Sequence, residues 1–277
     1  MIGKNNFFTM TRAQYIDTHA HLNLEQFAKD RESVFAKCAE EGVAMINVGT
    51  KKATSKLGVE LAKQYEHAKA IVGLHPLTVV DPDTTLAEPV FDYEFYKLLA
   101  THQETVGIGE CGFDYFHHGD DSYELQREAF VAQIHLANEV GKPLMLHLRN
   151  SKDGSGRNAY DDALEILKSE AKVSGNAHFY AGTVAQAQAF FDLGYTISFT
   201  GVITFAKEYE ALVQYAPLDK LHGETDCPYV APVPHRGQRA EPWMVKAVYQ
   251  MIAVCKSEDE DRVREQLLNN AKTLYNL

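Results

Sequence analysis

Short apolar runs of four or five residues alternate along the chain with longer stretches in which apolar positions recur every three or four residues. That is the pattern of buried strands separated by amphipathic helices. The runs at 15–19, 44–48, 70–74, 105–109, 143–147, 177–180, 195–199 and 220–224 read as eight strands. Helical periodicity fills the segments between them, for example 25–41, 122–140 and 184–193, with Gly42, Gly141 and Gly194 placed as C-terminal stops. A parallel sheet needs such crossovers, and eight βα units close on themselves, so the pattern predicts a single-domain α/β TIM (β/α)8 barrel over residues 1–277. An open doubly wound sheet would favour a glycine-rich phosphate turn after the first strand, and Thr18-His19-Ala20-His21 stands there instead. Residues 1–14 read as a partly flexible N-terminal extension. The loops 76–91 and 150–158 look enlarged and, at the C-terminal face of a barrel, are expected to shape a substrate site.

Composition adds an average globular balance, 45 % hydrophobic and 23 % charged over 277 residues, which excludes a disordered or fibrous chain. No apolar run reaches the roughly 18 residues of a membrane span. With no basic-then-apolar leader in 1–12, the expected location is cytoplasmic. The four cysteines, Cys38, Cys111, Cys227 and Cys255, form no CxxC pair, which argues for buried thiols rather than disulfides or a thiolate zinc site. No membrane contact and no obligate protein partner is indicated. Twenty-seven basic against thirty-eight acidic side chains give a net charge of -11, a field that on average repels nucleic acid.

Histidines and carboxylates change the picture because of where they fall. His19 and His21 lie two apart, hence on one face of a strand, and other strands end in similar chemistry: Glu110 after the fourth, His147 after the fifth, His178 on the sixth, Asp226 after the eighth. Parallel barrel strands bring their C-terminal ends to one rim whatever their separation in sequence. Any one of the six alone reads as a core histidine or a surface ion pair; all six together read as a metal centre. Four imidazoles and two carboxylates exceed one tetrahedral zinc and suit two divalent ions sharing a carboxylate, with Glu110 the natural bridge. Asp226 is then both a ligand and the group that accepts a proton from the attacking water. By ligand softness Zn²⁺, Mn²⁺ or Co²⁺ is favoured over Mg²⁺.

Neighbouring residues bear on substrate. Arg149, two beyond His147, is placed to hold a phosphate, or else to form a surface ion pair. Arg236 sits in a basic loop, 234–239, at a barrel position that often takes phosphate. His75, closing the third strand, is either a substrate contact or a loop cap. His117 and His118 read as a solvated loop, and His222 as structural.

Several stretches, Ile16-Asp17-Thr18-His19-Ala20-His21-Leu22, Gly73-Leu74-His75-Pro76, Gly109-Glu110-Cys111-Gly112-Phe113-Asp114-Tyr115, Pro143 to Arg149 and Glu224-Thr225-Asp226, together resemble the TatD family of metal-dependent deoxyribonucleases, nearly end to end. The resemblance implies His19, His21, Glu110 and Asp226 around one ion and Glu110, His147 and His178 around a second. It also implies DNA as substrate, often digested from the 3′ end, with Mg²⁺ among the supporting ions. The chain departs from the family in having Phe116-His117-His118 where a basic residue is usual, Phe179-Tyr180 where a small residue is usual after the sixth-strand histidine, and Ala240 in place of asparagine.

The expected function is therefore two-metal phosphodiester hydrolysis of single-stranded or frayed DNA ends, as an exonuclease working 3′ to 5′, the acidity disfavouring tight wrapping of duplex. The competing expectations are hydrolysis of a small amide, lactone or cyclic compound by the same centre, and a barrel that binds without turnover.

Overall fold

In the computed structural model, which describes residues 9–80 and 91–277, eight parallel strands form one sheet in sequential order. They are β1 (Tyr15–Ala20), β2 (Val43–Val48), β3 (Ala68–Val72), β4 (Thr105–Asp114), β5 (Leu144–Arg149), β6 (Gly175–Ala177), β7 (Thr196–Phe199) and β8 (Leu221–Gly223). The first and last strands meet just beyond β8. Asp226 N donates to His19 O at 2.9 Å and His21 N donates to Cys227 O at 3.0 Å, so a nearly closed barrel is completed by residues of the predicted site.

The strands are buried on both faces, as a parallel barrel requires. Inside lie Ile46, Val48, Ile71, Val106 and Met145, plugged by Tyr275 from the last helix, Glu260–Tyr275. Outside, a larger core joins the sheet to the helices, including Arg31–Glu40, Tyr123–Val140 and Val184–Asp192. Gly42, Gly141 and Gly194 take φ of +71°, +65° and +82°, the left-handed geometry of the expected helix stops. No helix among the described residues is long and apolar enough to cross a membrane.

Three boundaries differ from the sequence pattern. The periodicity at 25–41 resolves into a short turn, Glu25–Phe27, and a helix beginning at Arg31. β4 does not end at Glu110 but runs on to Asp114, because Gly109 and Gly112, at φ +144° and +135°, let the strand pass against β5, where a Cβ would meet Met145 O or His147 O at 2.4 Å. β6 ends at Ala177, so His178 stands just past the strand rather than on it. Of the expected extension, residues 1–8 lie outside the described part, while Met10 and Ala13 pack against Ile16, Ala44 and Ala271. Of the loop 76–91, residues 81–90 lie outside it, and Pro76–Val79 is one helical turn capped by His75.

Candidate metal centre

The six predicted ligands meet at the C-terminal rim, and the shared point is Glu110. Its Oε2 lies 3.4 Å from His19 Nε2 and 3.9 Å from His21 Nε2. Its Oε1 lies 2.6 Å from His147 Nδ1, 2.8 Å from His178 Nε2 and 3.3 Å from His75 Nε2. Asp226 Oδ1 completes the first group, 3.3 Å from His21 Nε2 and 3.8 Å from His19 Nε2. Two donor sets thus share one carboxylate, an oxygen to each.

The tautomers make this arrangement incomplete without cations. His21 Nδ1 donates to Val48 O at 2.9 Å, and His147 Nε2 donates to Asp114 Oδ2 at 3.0 Å, so in the neutral rings the inward nitrogens present lone pairs. Lone pairs on nitrogen then face lone pairs on Glu110 and Asp226, and His19 Nε2 and His21 Nε2 stand 3.0 Å apart. Something positive must lie between them. Without metal, protons take that place: burial opposes charge on His21, His147 and His178, but the adjacent carboxylates outweigh it and raise all three, His178 furthest. Burial likewise pushes Glu110 up, and the imidazoles of His75, His178 and His19 more than reverse it, holding the carboxyl well below its usual range. Nitrogen and carboxylate donors with no thiolate fit a divalent ion such as zinc or manganese. Two of the donor groups, His19/His21/Asp226 and His75/Glu110/His147, have their ligand atoms within 4.8 Å of one another.

His75 belongs to this cluster. Its Nδ1 accepts from Leu77 N at 3.0 Å, so Nε2, 3.1 Å from His147 Nδ1, points into the site. It is both the loop cap and a neighbour of the centre.

Three supporting carboxylates went unnoticed in the sequence. Asp114 accepts a hydrogen bond from His147 Nε2 and others from His117 N and Nδ1, which ties His117 down despite its half-exposed ring; the 115–118 segment is a capped helical turn rather than a solvated loop. Glu224, wholly buried, accepts from Phe179 N at 2.6 Å and lies 3.4 Å from His178 Nδ1, a charge contact rather than an aligned hydrogen bond. Asp17 accepts from His19 N, Thr225 N and Thr225 Oγ1, at 3.2, 2.9 and 2.6 Å, stitching β1 to the loop that carries Asp226. Two of the residues so held, Phe179 and Asp226, adopt φ of +43° and +55°, conformations that non-glycine residues keep only when their surroundings impose them. The signal was proximity: Asp17, Asp114 and Glu224 each lie two or four residues from a predicted ligand, His19, Glu110 and Asp226 respectively.

Above the donors opens a cavity of about 830 Å³ lined by His21, His75, Glu110, His147, His178 and Asp226, with Arg149, Phe116, Phe179, Tyr209 and Tyr229 around it. Arg149 lies over the Phe116 ring at 4.0 Å and has no carboxylate partner among the described residues. Arg236 does not line the cavity. Its Nη1 donates to Ala231 O at 2.8 Å and its guanidinium stacks on Phe205 at 3.9 Å, which turns it outward. His222 is inside the barrel, bonded to Thr196 Oγ1 at 3.0 Å, as expected of a structural residue.

A parallel barrel with clustered histidines and carboxylates at its C-terminal rim, converging on one shared carboxylate, is the framework of a metal-dependent hydrolase. The family model described as TatD related DNase matches residues 16–276, and the chain belongs to that family. It is 36 % identical over 267 residues to YabD of Bacillus subtilis strain 168, an uncharacterized metal-dependent hydrolase, with 94 % of this chain and 98 % of that one covered. It is 31 % identical over 270 residues to YcfH of Escherichia coli K12, also an uncharacterized metal-dependent hydrolase, with 95 % and 96 % covered. Among solved structures, the TatD homologue YjjV of Escherichia coli K12 superimposes with a TM-score of 0.82 at 27 % identity, over 96 % of this chain and 99 % of that one. An organophosphorus hydrolase of Deinococcus radiodurans, at TM-score 0.61 and 11 % identity over 96 % and 94 % of the two chains, shares the fold.

Proposed function

We propose that this protein hydrolyses phosphodiester bonds at single-stranded or frayed DNA ends, proceeding 3′ to 5′, with two divalent ions held by His19, His21, Asp226 and Glu110 on one side and by Glu110, His147 and His178 on the other. When bound, such ions supply positive charge to the transition state and acidify water. The chain's own groups do the rest. Burial raises the Asp226 carboxyl, but in the metal-free site the hydrogen bond from a protonated His21 and the charge of the neighbouring imidazoles lower it below its usual value; as a carboxylate it can accept a proton from the attacking water. Arg149, beside the same cavity, holds the phosphate, and Phe179 and Tyr229 offer faces to the flanking bases.

The observation that carries the reading is Arg149, a guanidinium at a cavity floored by metal donors and matched with no acid among the described residues, which suits an anionic substrate. A site recessed in a cavity also favours a strand end over intact duplex. The location proposed for the protein remains the cytoplasm. Incubation with single-stranded DNA under Mg²⁺, Mn²⁺ and Zn²⁺, beside Asp226→Asn, tests it. Wild type shortens the strand with at least one ion and Asp226→Asn does not; no cleavage by protein containing two bound ions refutes the reading. The net charge of -11 favours the second reading, a small neutral amide or lactone, and turnover of such a compound without DNA cleavage would establish it.

A further inference from the structure

Arg236, in the basic loop after β8, has no place in the cavity, yet it is not spent on an ion pair. Arg239, three residues on, is matched by Asp30 and Glu241, and Arg157 by Asp162. Arg236 has no carboxylate partner among the described residues; one of its five N–H groups reaches Ala231 O, and its plane lies on Phe205. The loop that carries Phe205 packs on the loop that carries Arg236: Val233 N donates to Thr204 Oγ1 at 2.9 Å, and the Gly201 backbone lies so close to Val230 O that a Cβ there would approach to 2.5 Å. Along this seam three apolar side chains face solvent, Phe205 at 43 %, Val233 at 46 % and Tyr229 at 49 % exposure. Tyr229, Val230 and Tyr209 of the same two loops line the cavity, so the seam continues its wall outward.

We infer that this seam is an outer subsite for a single-stranded polynucleotide, binding the part of the strand that lies beyond the nucleotide in the cavity: Phe205 and Tyr229 stack bases and Arg236 contacts a phosphate. The inference rests on the nuclease reading above. Aromatic faces beside an unpaired guanidinium are what sequence-tolerant single-strand binding uses. On a chain with a net charge of -11, a cation left unmatched at the cavity mouth marks where a polyanion can approach. The seam also explains how an acidic protein would hold a strand: a few local contacts in place of a basic face.

The test is fluorescence anisotropy with a labelled phosphorothioate octathymidylate, which resists cleavage, on the metal-loaded full chain. Phe205→Ala weakens binding about tenfold, within the range seen when a stacking side chain is removed. Arg236→Ala reduces the slope of log affinity against log salt by about 0.7, one single-strand phosphate contact, and Arg236→Lys retains it. Leu98→Ala, exposed on the outer helix Tyr93–Ala100, serves as the unaffected control. Unchanged binding in both seam variants overturns the inference. So does sedimentation showing a wild-type dimer that Phe205→Ala dissociates, which would make the seam an interface between copies. Dinucleotide hydrolysis with octamer binding indifferent to the seam removes the subsite and leaves the nuclease reading; seam-dependent binding with no hydrolysis under any ion does the reverse.

Discussion

The floor of the cavity and its rim are built on different terms. On the floor three of the inward groups are aimed by a second group. His21 is aimed by a carbonyl, His147 by Asp114, and Asp226 by the Asp17–Thr225 stitch. At the rim, Arg149 and Lys152 both lie over Phe116, at 4.0 and 4.8 Å, and Arg236 lies over Phe205; none has a carboxylate partner among the described residues. Strand ends hold chemistry to fractions of an ångström, whereas loops offer adaptable contacts to a substrate that varies. Substitutions on the floor should therefore act on metal retention and turnover, and those at the rim on affinity and salt dependence.

The largest effect is expected at the point both donor sets share. Glu110→Gln should lower kcat/KM by more than about 10³-fold and reduce bound metal, beyond the ten- to hundredfold typical of a supporting partner. Steady-state kinetics with elemental analysis checks it. Asp114→Asn and Glu224→Gln should each fall within that ten- to hundredfold range in metal affinity, read by competition with a chelator. Affinity unchanged in both would mean that the floor is not organised by its outer carboxylates.

Below the floor, burial pushes the His222 imidazole down to about 4. Because the folded value lies beneath the unfolded one, stability is retained above about pH 6.5 and is lost as pH falls from there toward 4. Between pH 7.5 and 5 the loss is about 2 kcal/mol, and His222→Gln should remove that part of the pH dependence in urea titrations, since the ligand titrations are common to both proteins. The smallest effect belongs to the rim. Arg149→Ala should raise KM for DNA about tenfold with kcat little changed, and Arg149→Lys should recover part of the loss, as expected for a charge contact to phosphate. A collapse of kcat instead would move Arg149 into the reacting centre and erase the distinction between floor and rim.

The barrel was legible because fully buried parallel strands leave short apolar runs that amphipathic helices cannot imitate. The convergence of His19, Glu110, His147, His178 and Asp226 followed from that topology alone. What sequence hid was conformational. Residues 177–180 look like a strand, but Phe179 turns to positive φ, held by Glu224, and ends β6 early. The fourth strand reads as closing at Glu110, yet Gly109 and Gly112 let β4 continue and bring Asp114 under His147. Arg236 shows the other limit: position after a strand places a loop at the rim, but the aromatic side chain it packs on decides whether its charge faces the cavity or solvent.

The central claim, that Glu110 serves two ions, is tested most directly by anomalous diffraction from manganese-loaded crystals. The account predicts two peaks about 3.5–4 Å apart, the spacing of two-metal hydrolytic centres. One should lie among Glu110 Oε2, His19, His21 and Asp226, the other among Glu110 Oε1, His147 and His178. A single peak, or two peaks with Glu110 bound to only one, would contradict it.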